Sequence, residues 1–486
     1  METDAILHAQ KAAMKDTEPR GEKMCRYAKQ IFMVFLGSLC YVFMGMTLTW
    51  PNVFKAHLAT DNTTLFDTEL HIDEWEFDML NSLISVGSVF GLLLSGWLVR
   101  KIGRKKSLMV SVMPGLLGWI TLGLAINTPM LLFGRLCDGV TTGMITLTGM
   151  TYATEIPDTS IRGTVCTTCG LVFLFGVALC VILSLALTWY AVALSNVAAI
   201  LVYICLIVPF LPESPTFLTV TKKDKEAIKV LRRLRGKHIN IETEMALIKK
   251  MNDDAAGDKG WSFVLQKKVQ KTILVLTILF LVQGFSGTAV LRADALRILQ
   301  ASGITGNTNL YVILLLLIPI AGTFVMSCMT DTLGRRGCLV ISLAFMMLTY
   351  VVLGTVVYFQ SRPLVSVVPI DLNDTMQQQP YEVELSPGQL TILVSLIVCL
   401  FAMNLGIEAL PWQLASEYFP TTIRSQAMSL SVSIGCIIAA FPLQLYSVMN
   451  NLLTTAGLFW FYAAVSGIGV VFIVQCVPET AHKMVG

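Results

Sequence analysis

The chain has 486 residues, of which 55% are hydrophobic and only 14% are charged, and its mean hydropathy is +0.69. Soluble domains carry about 25% charged residues, so this composition excludes a water-soluble globular protein and indicates an integral membrane protein. The formal net charge of +3 is too small to indicate nucleic-acid binding, because the basic residues gather in a few short segments.

Apolar runs of roughly 20 residues, the length of a helix that crosses hydrocarbon, recur along the chain. They predict twelve transmembrane helices, at about residues 31–50, 79–99, 107–126, 130–152, 163–187, 190–211, 272–292, 309–330, 338–359, 390–412, 427–449 and 452–477. Trp50 and Pro51 are expected to end the first of them, because proline interrupts a helix. The predicted fold class is an all-α membrane protein with twelve transmembrane helices in two six-helix bundles.

A charged segment, residues 212–271, separates the two halves and carries fourteen Lys or Arg against eight Asp or Glu. Its apolar residues recur at helical spacing, which predicts short amphipathic helices under the membrane. A disordered charged linker is the alternative. We therefore expect a cytosolic tail (1–29), a first bundle (30–211), this cytosolic linker (212–271), a second bundle (272–477) and a short cytosolic tail (478–486).

The basic residues also predict the orientation of the chain in the membrane. A cluster that follows the second predicted helix, from Arg100 to Lys106, indicates the cytosolic side by the positive-inside rule. The polar first 29 residues lack the apolar region and cleavage site of a signal peptide, so both termini are expected in the cytosol. Two glycosylation acceptors, Asn62 and Asn373, then fall in outer loops.

The twelve cysteines do not predict a disulfide framework, because most of them lie inside apolar runs. Cys166 and Cys169 form a C-x-x-C pair, but no second pair follows at metal-ligand spacing. We expect no metal and no cofactor. An enzyme is not expected either, because no nucleophile, base and orienting group converge at a recognisable spacing.

Charged motifs of the first half recur in the second. Each half has a basic turn and a glutamate that is followed seven residues later by an arginine. The residues are Arg104, Lys105, Glu155 and Arg162 in the first half and Asp331, Arg335, Arg336, Glu417 and Arg424 in the second.

By this repeat and by motifs elsewhere, the chain resembles the sugar porter family of the major facilitator superfamily, most closely its arthropod facilitated trehalose transporter-like members. The further motifs are Gly134-Arg135, Tyr152-x-x-Glu155, Pro212-Glu213-Ser214-Pro215, Gln283 with Ser286-Gly287, Pro411-Trp412, Phe419-Pro420 and Pro478-Glu479-Thr480. The resemblance covers about residues 31–480 and implies the major facilitator fold, in which two bundles rock about a midplane site.

In such a mechanism, the repeated charges predict ion pairs between the bundles on the cytosolic face. These pairs hold the outward-open state and break when the bundles rock. The alternative is that the charges only set the orientation. Arg100 departs from the family, which usually carries an acid at this turn, and so removes one such pair.

The candidate substrate-binding residues are Gln283, Ser286, Gly287, Glu408 and Trp412. Sugars are bound by amides that match their hydroxyls and by an aromatic face against the ring. Five positions at which relatives carry Gln or Asn hold other residues in this chain, namely Gly170, Gly284, Ala289, Pro319 and Gly435. Ordinary glucose affinity therefore does not follow from the resemblance.

Charges that the family lacks lie in or next to the predicted spans. Arg292 and Asp294 lie where relatives carry tyrosines, and Glu408 lies where they carry glycine. Ionisable groups in a membrane normally face a water-filled path or a partner, so we interpret Glu408 as a cavity residue, with structural pairing as the alternative. Arg135 and Asp138 are expected to pair inside the membrane as i,i+3 neighbours. Proton coupling is not expected, because the first helix has no carboxylate for Arg135 and the five histidines lie outside the predicted spans.

We therefore expect facilitative transport of a sugar (trehalose, hexose or related polyol) by alternating access in the plasma membrane. The expected partners are the solute and the lipid bilayer, with a monomer as the default assembly. Two alternatives stay open. The lost amides favour a transport-incompetent sugar sensor or scaffold, and the new charges favour a transporter of a charged organic solute.

Overall fold

The computed structural model describes residues 20–58, 63–158, 161–235, 241–242, 244–246, 248–249, 266–293, 298, 308–360, 386–419 and 424–478. Within these ranges the chain is helical, apart from turns and one isolated antiparallel bridge between Thr63 and Glu69. The predicted site residues Asn62, Asp294 and Asn373 lie outside the described residues.

In the described part of the chain, nine helices are long and apolar enough to cross a membrane. Three shorter apolar helices, at residues 168–184, 269–285 and 317–326, fall in three further predicted spans. The helices are consistent with the twelve predicted spans, and the predicted all-α membrane class is confirmed.

The chain separates into two compact units, residues 1–273 with 418–440 and residues 274–417 with 441–486. In chain order the helices are α1 (Arg20–Ser38), α2 (Cys40–Leu58), α3 (Glu74–Ile102), α4 (Arg104–Ser111), α5 (Met113–Gly123), α6 (Thr128–Glu155), α7 (Arg162–Ser184), α8 (Trp189–Phe210), α9 (Pro215–Val220), α10 (Asp224–Arg235), α11 (Lys267–Phe285), α12 (Thr288–Ala293), α13 (Thr308–Gln360), α14 (Pro387–Asn404), α15 (Leu410–Glu417), α16 (Arg424–Gln444) and α17 (Tyr446–Cys476). Helices α1 to α10 belong to the first unit, and α12 to α15 with α17 belong to the second.

In the first unit, Pro51 does not end a helix, contrary to the prediction. Helix α2 continues through it to Leu58. Proline has no N–H to donate to the carbonyl four residues earlier, which is that of Thr47. The buried guanidinium of Arg135 in α6 supplies the missing donor, with 2.8 Å between Nη1 and the Thr47 oxygen. The helix therefore keeps its course past the proline.

Helices α3 and α6 cross so closely that only glycine fits between them. A Cβ atom on Gly91 would lie 2.1 Å from the Val140 oxygen, and one on Gly143 would lie 2.1 Å from the Ser88 oxygen. Small residues let helix backbones approach each other in membrane proteins. This crossing fixes α6, and with it the buried side chain of Arg135, against α3.

Helix α10, in the charged segment, is amphipathic. Its buried residues Ala227 and Leu231 form a small apolar cluster with Leu218 and Met245. Its exposed side chains are mostly basic and include Lys225, Lys229, Arg232 and Arg233. The predicted domain boundaries on either side of this segment stay predictions.

Two predicted helices of the second unit, residues 272–292 and 390–412, are broken, contrary to the prediction. The first break separates α11 from α12 at Gly287, which has a φ of 82°. The second covers residues 405–409, between α14 and α15. Pro411, the second residue of α15, cannot donate to the carbonyl of Ile407, so a continuous helix would lose a hydrogen bond there. Both breaks free backbone groups in the middle of apolar spans.

Candidate functional site

The break between α11 and α12 is closed by hydroxyl groups. The carbonyl of Gln283 accepts hydrogen bonds from the hydroxyls of Ser286, at 2.9 Å, and Thr288, at 2.8 Å. The carbonyl of Ser286 accepts a hydrogen bond at 2.8 Å from the buried phenol of Tyr350 in α13. Backbone groups that a regular helix pairs internally are thus satisfied by side chains.

Gly287 lies at the same break, against an aromatic ring. A Cβ atom on Gly287 would lie 2.7 Å from the ring of Tyr462 in α17. The positive φ of Gly287 independently favours glycine. Ser286 and Gly287 therefore shape the break, and their predicted contact with a solute stays a prediction.

The break between α14 and α15 is held by a serine of α13. The hydroxyl of Ser342 donates to the carbonyl of Ala402 at 2.8 Å and accepts from the N–H of Ile407 at 3.2 Å. Gly406 packs against the backbone of Cys338, where a Cβ atom would lie 2.6 Å from the carbonyl oxygen. The same helix that supports the first break thus supports the second.

Glu408 joins the two breaks. Its backbone carbonyl accepts a hydrogen bond from Nε2 of Gln283 at 2.9 Å, and its Oε1 pairs with the guanidinium of Arg292 in α12. Its second oxygen, Oε2, has no hydrogen-bond partner among the described residues. The two charged side chains are 27% (Arg292) and 18% (Glu408) exposed, so the pair is largely removed from solvent. The structure brings Gln283, Glu408 and Arg292 together, and the contact of Gln283 and Glu408 with a solute stays a prediction.

Trp412 lies in α15, one turn after Glu408. It is half-buried and packs edge-on against Phe280 of α11, with 5.4 Å between the ring centroids. The site of the second unit therefore combines an amide, a carboxylate with a free acceptor oxygen, and an indole. These are the groups that match the hydroxyls and the apolar face of a sugar ring.

The predicted charges of the first unit pair within that unit. Arg104 Nη2 donates to Glu155 Oε1 at 2.7 Å, and the other oxygen of Glu155 accepts from the hydroxyl of Ser214. Glu213 Oε1 accepts from the backbone N–H of Arg104 at 2.7 Å and from that of Lys105 at 3.2 Å. The role of these residues in a gate between bundles stays a prediction.

Of the remaining predicted gate residues, three have side chains in the described part of the structure. The Lys105 Nζ donates to the carbonyl of Val208 at 2.7 Å. In the second unit, Arg336 donates to the carbonyl of Val474, and Arg335 is half-buried at the same turn. Four predicted side chains lie outside the described part of the structure, namely those of Arg162, Asp331, Glu417 and Arg424.

The predicted pair of Arg135 and Asp138 is present only as a long contact, with 4.0 Å between Nη1 and Oδ2. Arg135 instead donates to two backbone carbonyls, those of Thr47 and of Leu80, the latter at 3.3 Å. Its guanidinium also lies over the ring of Trp50, 5.7 Å from the centroid. Neither carboxylate oxygen of Asp138 has a hydrogen-bond partner in the described structure. The hydrogen-bond partners of Arg135 are therefore backbone carbonyls of α2 and α3, and Asp138 is only a distant ionic neighbour.

A second ionic cluster was not predicted. Arg235, the last residue of α10, is buried and contacts Asp158 at 2.8 Å and Glu244 at 2.8 Å. Gln30 of α1 donates to the carbonyl of Leu234 at 3.1 Å. These residues are far apart in the sequence, which hides the cluster. The one local signal was Arg235 itself, four residues after Leu231 on the apolar face of α10.

Comparison with known families gives a match over nearly the whole chain. A family model described as "Sugar (and other) transporter" matches residues 30–485. The facilitated trehalose transporter Tret1 of Apis mellifera ligustica is 26% identical over 485 residues, which cover 99% of this chain and 90% of that protein. The sugar transporter ERD6-like 18 of Arabidopsis thaliana is 30% identical over 414 residues, which cover 85% of this chain and 82% of that protein.

Solved structures resemble the chain in fold. The proton:xylose symporter XylE of the major facilitator superfamily, bound to 6-bromo-6-deoxy-D-glucose, superposes with a TM-score of 0.74 at 19% identity. The match covers 94% of this chain and 98% of that one. A partially occluded inward open conformation of XylE from E. coli gives a TM-score of 0.71 at 18% identity, over 92% of this chain and 100% of that one. At this identity the likeness concerns the fold alone, which is the major facilitator fold.

Proposed function

The chain belongs to the sugar transporter family, and we propose that it carries a neutral sugar or related polyol passively across a membrane by alternating access. It is a multi-pass membrane protein and not an enzyme. The observation that carries the proposal is the polar site at two helix breaks, where Gln283, Glu408 and Trp412 meet in the second unit.

The free oxygen of Glu408 is the strongest acceptor in this site. A carboxylate accepts hydrogen bonds from hydroxyl donors, and bonds to a charged group are stronger than neutral ones. The ring of Trp412 offers an apolar surface for the carbon face of a sugar ring. The carboxylate thus supplies part of the hydroxyl recognition that the lost amides of the family no longer provide.

The ion pair between Arg292 and Glu408 favours a neutral solute. Each residue alone would attract a solute of opposite charge, but the pair carries no net charge and so favours neither cations nor anions at long range. Pairing is the usual way in which ionisable groups are accommodated inside a membrane protein. The pairing of Arg292 with Glu408 therefore supports a sugar or polyol over a charged organic solute.

We also propose that the protein lies in the plasma membrane with both termini in the cytosol. The basic turn between α3 and α4 supports this orientation. Its exposed residues Arg100, Lys101 and Lys106 follow the positive-inside rule. An epitope at the amino terminus should accordingly bind antibody only in permeabilised cells.

The substrate class is tested by uptake of a labelled panel into oocytes that express the chain. We expect entry of trehalose, a hexose or a polyol, and no entry of organic cations or anions. Glu408→Gln should weaken the uptake of the same solutes and, because it removes the negative charge beside Arg292, should let organic anions compete for the site. Uptake of a charged solute by the wild type would overturn the neutral-solute proposal, and uptake of none would favour a sensor.

A further inference from the structure

We propose that Ser342 and Tyr350 of α13 are positioning residues for the transported solute, because one helix holds both breaks that form the site. This inference rests on the proposed function. Neither hydroxyl contacts a candidate substrate-binding side chain directly. Each bonds the backbone of a break, and together they make the two breaks move as one element.

Ser342 supplies the acceptor for the N–H of Ile407, which has no helical partner in the break between α14 and α15. Its hydroxyl bridges the carbonyl of Ala402, at 2.8 Å, and the N–H of Ile407, at 3.2 Å. Ser342 and Ile407 are both fully buried, so no bulk water reaches the N–H. An unpaired buried backbone donor is costly, so removal of this hydroxyl must destabilise the turn that carries Glu408.

Tyr350 performs the same task at the break between α11 and α12. Its phenol donates to the carbonyl of Ser286 at 2.8 Å, and its ring packs against that of Tyr462, with 5.6 Å between the centroids. Tyr462 in turn lies against Gly287, the residue with the positive φ. The phenol and the aromatic pair therefore set the direction in which α12 leaves the break.

The two breaks also contact each other through Glu408, which receives Gln283 at its carbonyl and Arg292 at its carboxylate. A closed loop of contacts results: from Ser342 to the turn of Glu408, across to α11 and α12, and back through Tyr350 to the same helix. Packed elements of this kind shift between discrete arrangements rather than deforming freely. A solute that binds Glu408 therefore acts on both breaks at once.

Hydrogen–deuterium exchange of the purified full-length protein in nanodiscs tests this coupling. Ser342→Ala and Tyr350→Phe each remove one hydroxyl and keep the remaining side chain. We expect each substitution to accelerate amide exchange in both segments, 283–292 and 402–410, by roughly 2- to 12-fold, the factor that corresponds to one net hydrogen bond. Acceleration that stays confined to the segment each residue touches would overturn the coupling.

Two matched controls lie in the first unit. Ser95 is buried and donates to the carbonyl of Leu92 in its own helix at 3.0 Å, and Tyr203 is buried and donates to the carbonyl of Gly37 at 3.1 Å. Ser95→Ala and Tyr203→Phe remove the same groups without touching either break. They should leave exchange in segments 283–292 and 402–410 unchanged. Acceleration by these controls equal to that of the test variants would also overturn the proposal.

Transport kinetics separate positioning from general structural loss. Ser342→Ala should raise the KM for the transported sugar by roughly 2- to 12-fold at a nearly unchanged maximal rate per folded molecule, and Ser342→Thr, which keeps the hydroxyl, should restore the KM. A fall in maximal rate at an unchanged KM would overturn the assignment. A wild type that transports no sugar refutes the proposed function, whereas the exchange experiment still decides the coupling.

Discussion

The two units of the chain differ in how they satisfy the backbone groups that helix-breaking residues leave unpaired. In the first unit, the carbonyl that Pro51 leaves unpaired is bonded by a fully buried arginine, Arg135, whose guanidinium lies over the ring of Trp50. In the second unit, the breaks near Gly287 and Glu408 are closed by neutral hydroxyls. They leave a partly exposed ion pair and a carboxylate oxygen that has no hydrogen-bond partner among the described residues.

This difference teaches where a membrane protein can place recognition chemistry. A proline whose freed carbonyl is bonded by a buried charge leaves its helix continuous and offers nothing to a solute. A break whose backbone groups are bonded by hydroxyls of a neighbouring helix can carry polar side chains that remain available to a solute. The first unit is therefore interpreted as the stiffer one, and the second as the one that recognises the solute.

Removal of the buried arginine should have the largest effect. Arg135→Leu leaves the carbonyl of Thr47 without its donor and Asp138 without its nearest positive charge, so we expect a loss of about 3–5 kcal/mol in the free energy of unfolding. Reversible unfolding in mixed micelles measures it. The control Arg100→Leu, at an exposed arginine of α3, should change the stability by less than about 0.5 kcal/mol. Equal stabilities of the two variants would contradict the claim that the buried arginine stabilises the first unit.

A methyl group at the crossing of α3 and α6 should have the next largest effect. Gly143→Ala places a Cβ atom 2.1 Å from the Ser88 oxygen, so the helices must separate, at a cost of about 1–3 kcal/mol. Gly170→Ala is the matched control, because nothing lies within 4 Å of its Cβ position. Thermal unfolding midpoints that move together in the two variants would show that the crossing is not tight.

The fold class and most of the spans were predictable, because hydrophobic length and the positive-inside pattern depend on local composition. The continuation of α2 through Pro51 was not, since the donor that replaces the proline N–H comes from Arg135, 84 residues later in the sequence. For the same reason, the roles of Ser342 and Tyr350 could not be predicted from the sequence. A serine and a tyrosine in an apolar run carry no local sign that they bond distant breaks.

The candidate site was predicted in part. Gln283 and Glu408 were expected to share a site, and the structure places the amide of one 2.9 Å from the carbonyl of the other. Arg292 was identified as an unusual charge, but its partner was not, because pairing between two broken helices depends on how they pack. Likewise, Glu213 and Ser214 were recognised only as motif residues, although they bond Arg104 and Glu155.

A double-mutant cycle on Arg104 and Glu155 sharpens the description of the first unit. Because the two side chains are 2.7 Å apart and only 12% and 17% exposed, we expect a coupling of about 0.5–3 kcal/mol in the stability of the purified protein. The cycle compares Arg104→Ala, Glu155→Ala and the double variant by denaturant unfolding. Strictly additive losses would mean that the pair contributes nothing to the unit.

Truncation of the indole should give the smallest effect. Trp412→Ala removes the aromatic surface of the site, so the KM of a ring-shaped sugar should rise by roughly 2- to 12-fold, in line with about 0.5–1.5 kcal/mol for an aromatic contact. An acyclic polyol should be affected less. Trp97→Ala, at an exposed tryptophan of α3, is the control and should leave the KM of both solutes unchanged. A uniform loss for both solutes in Trp412→Ala would argue against ring packing.

The most direct test of passive sugar transport at the Glu408 site is time-resolved uptake of a labelled sugar into proteoliposomes, with an imposed proton gradient and after its collapse by a protonophore. We predict that the internal concentration rises to the external one and stops, with the same time course in both conditions, and that Glu408→Gln raises the KM without changing this endpoint. Accumulation above the external concentration that the protonophore abolishes, or an unchanged KM in Glu408→Gln, would contradict the account.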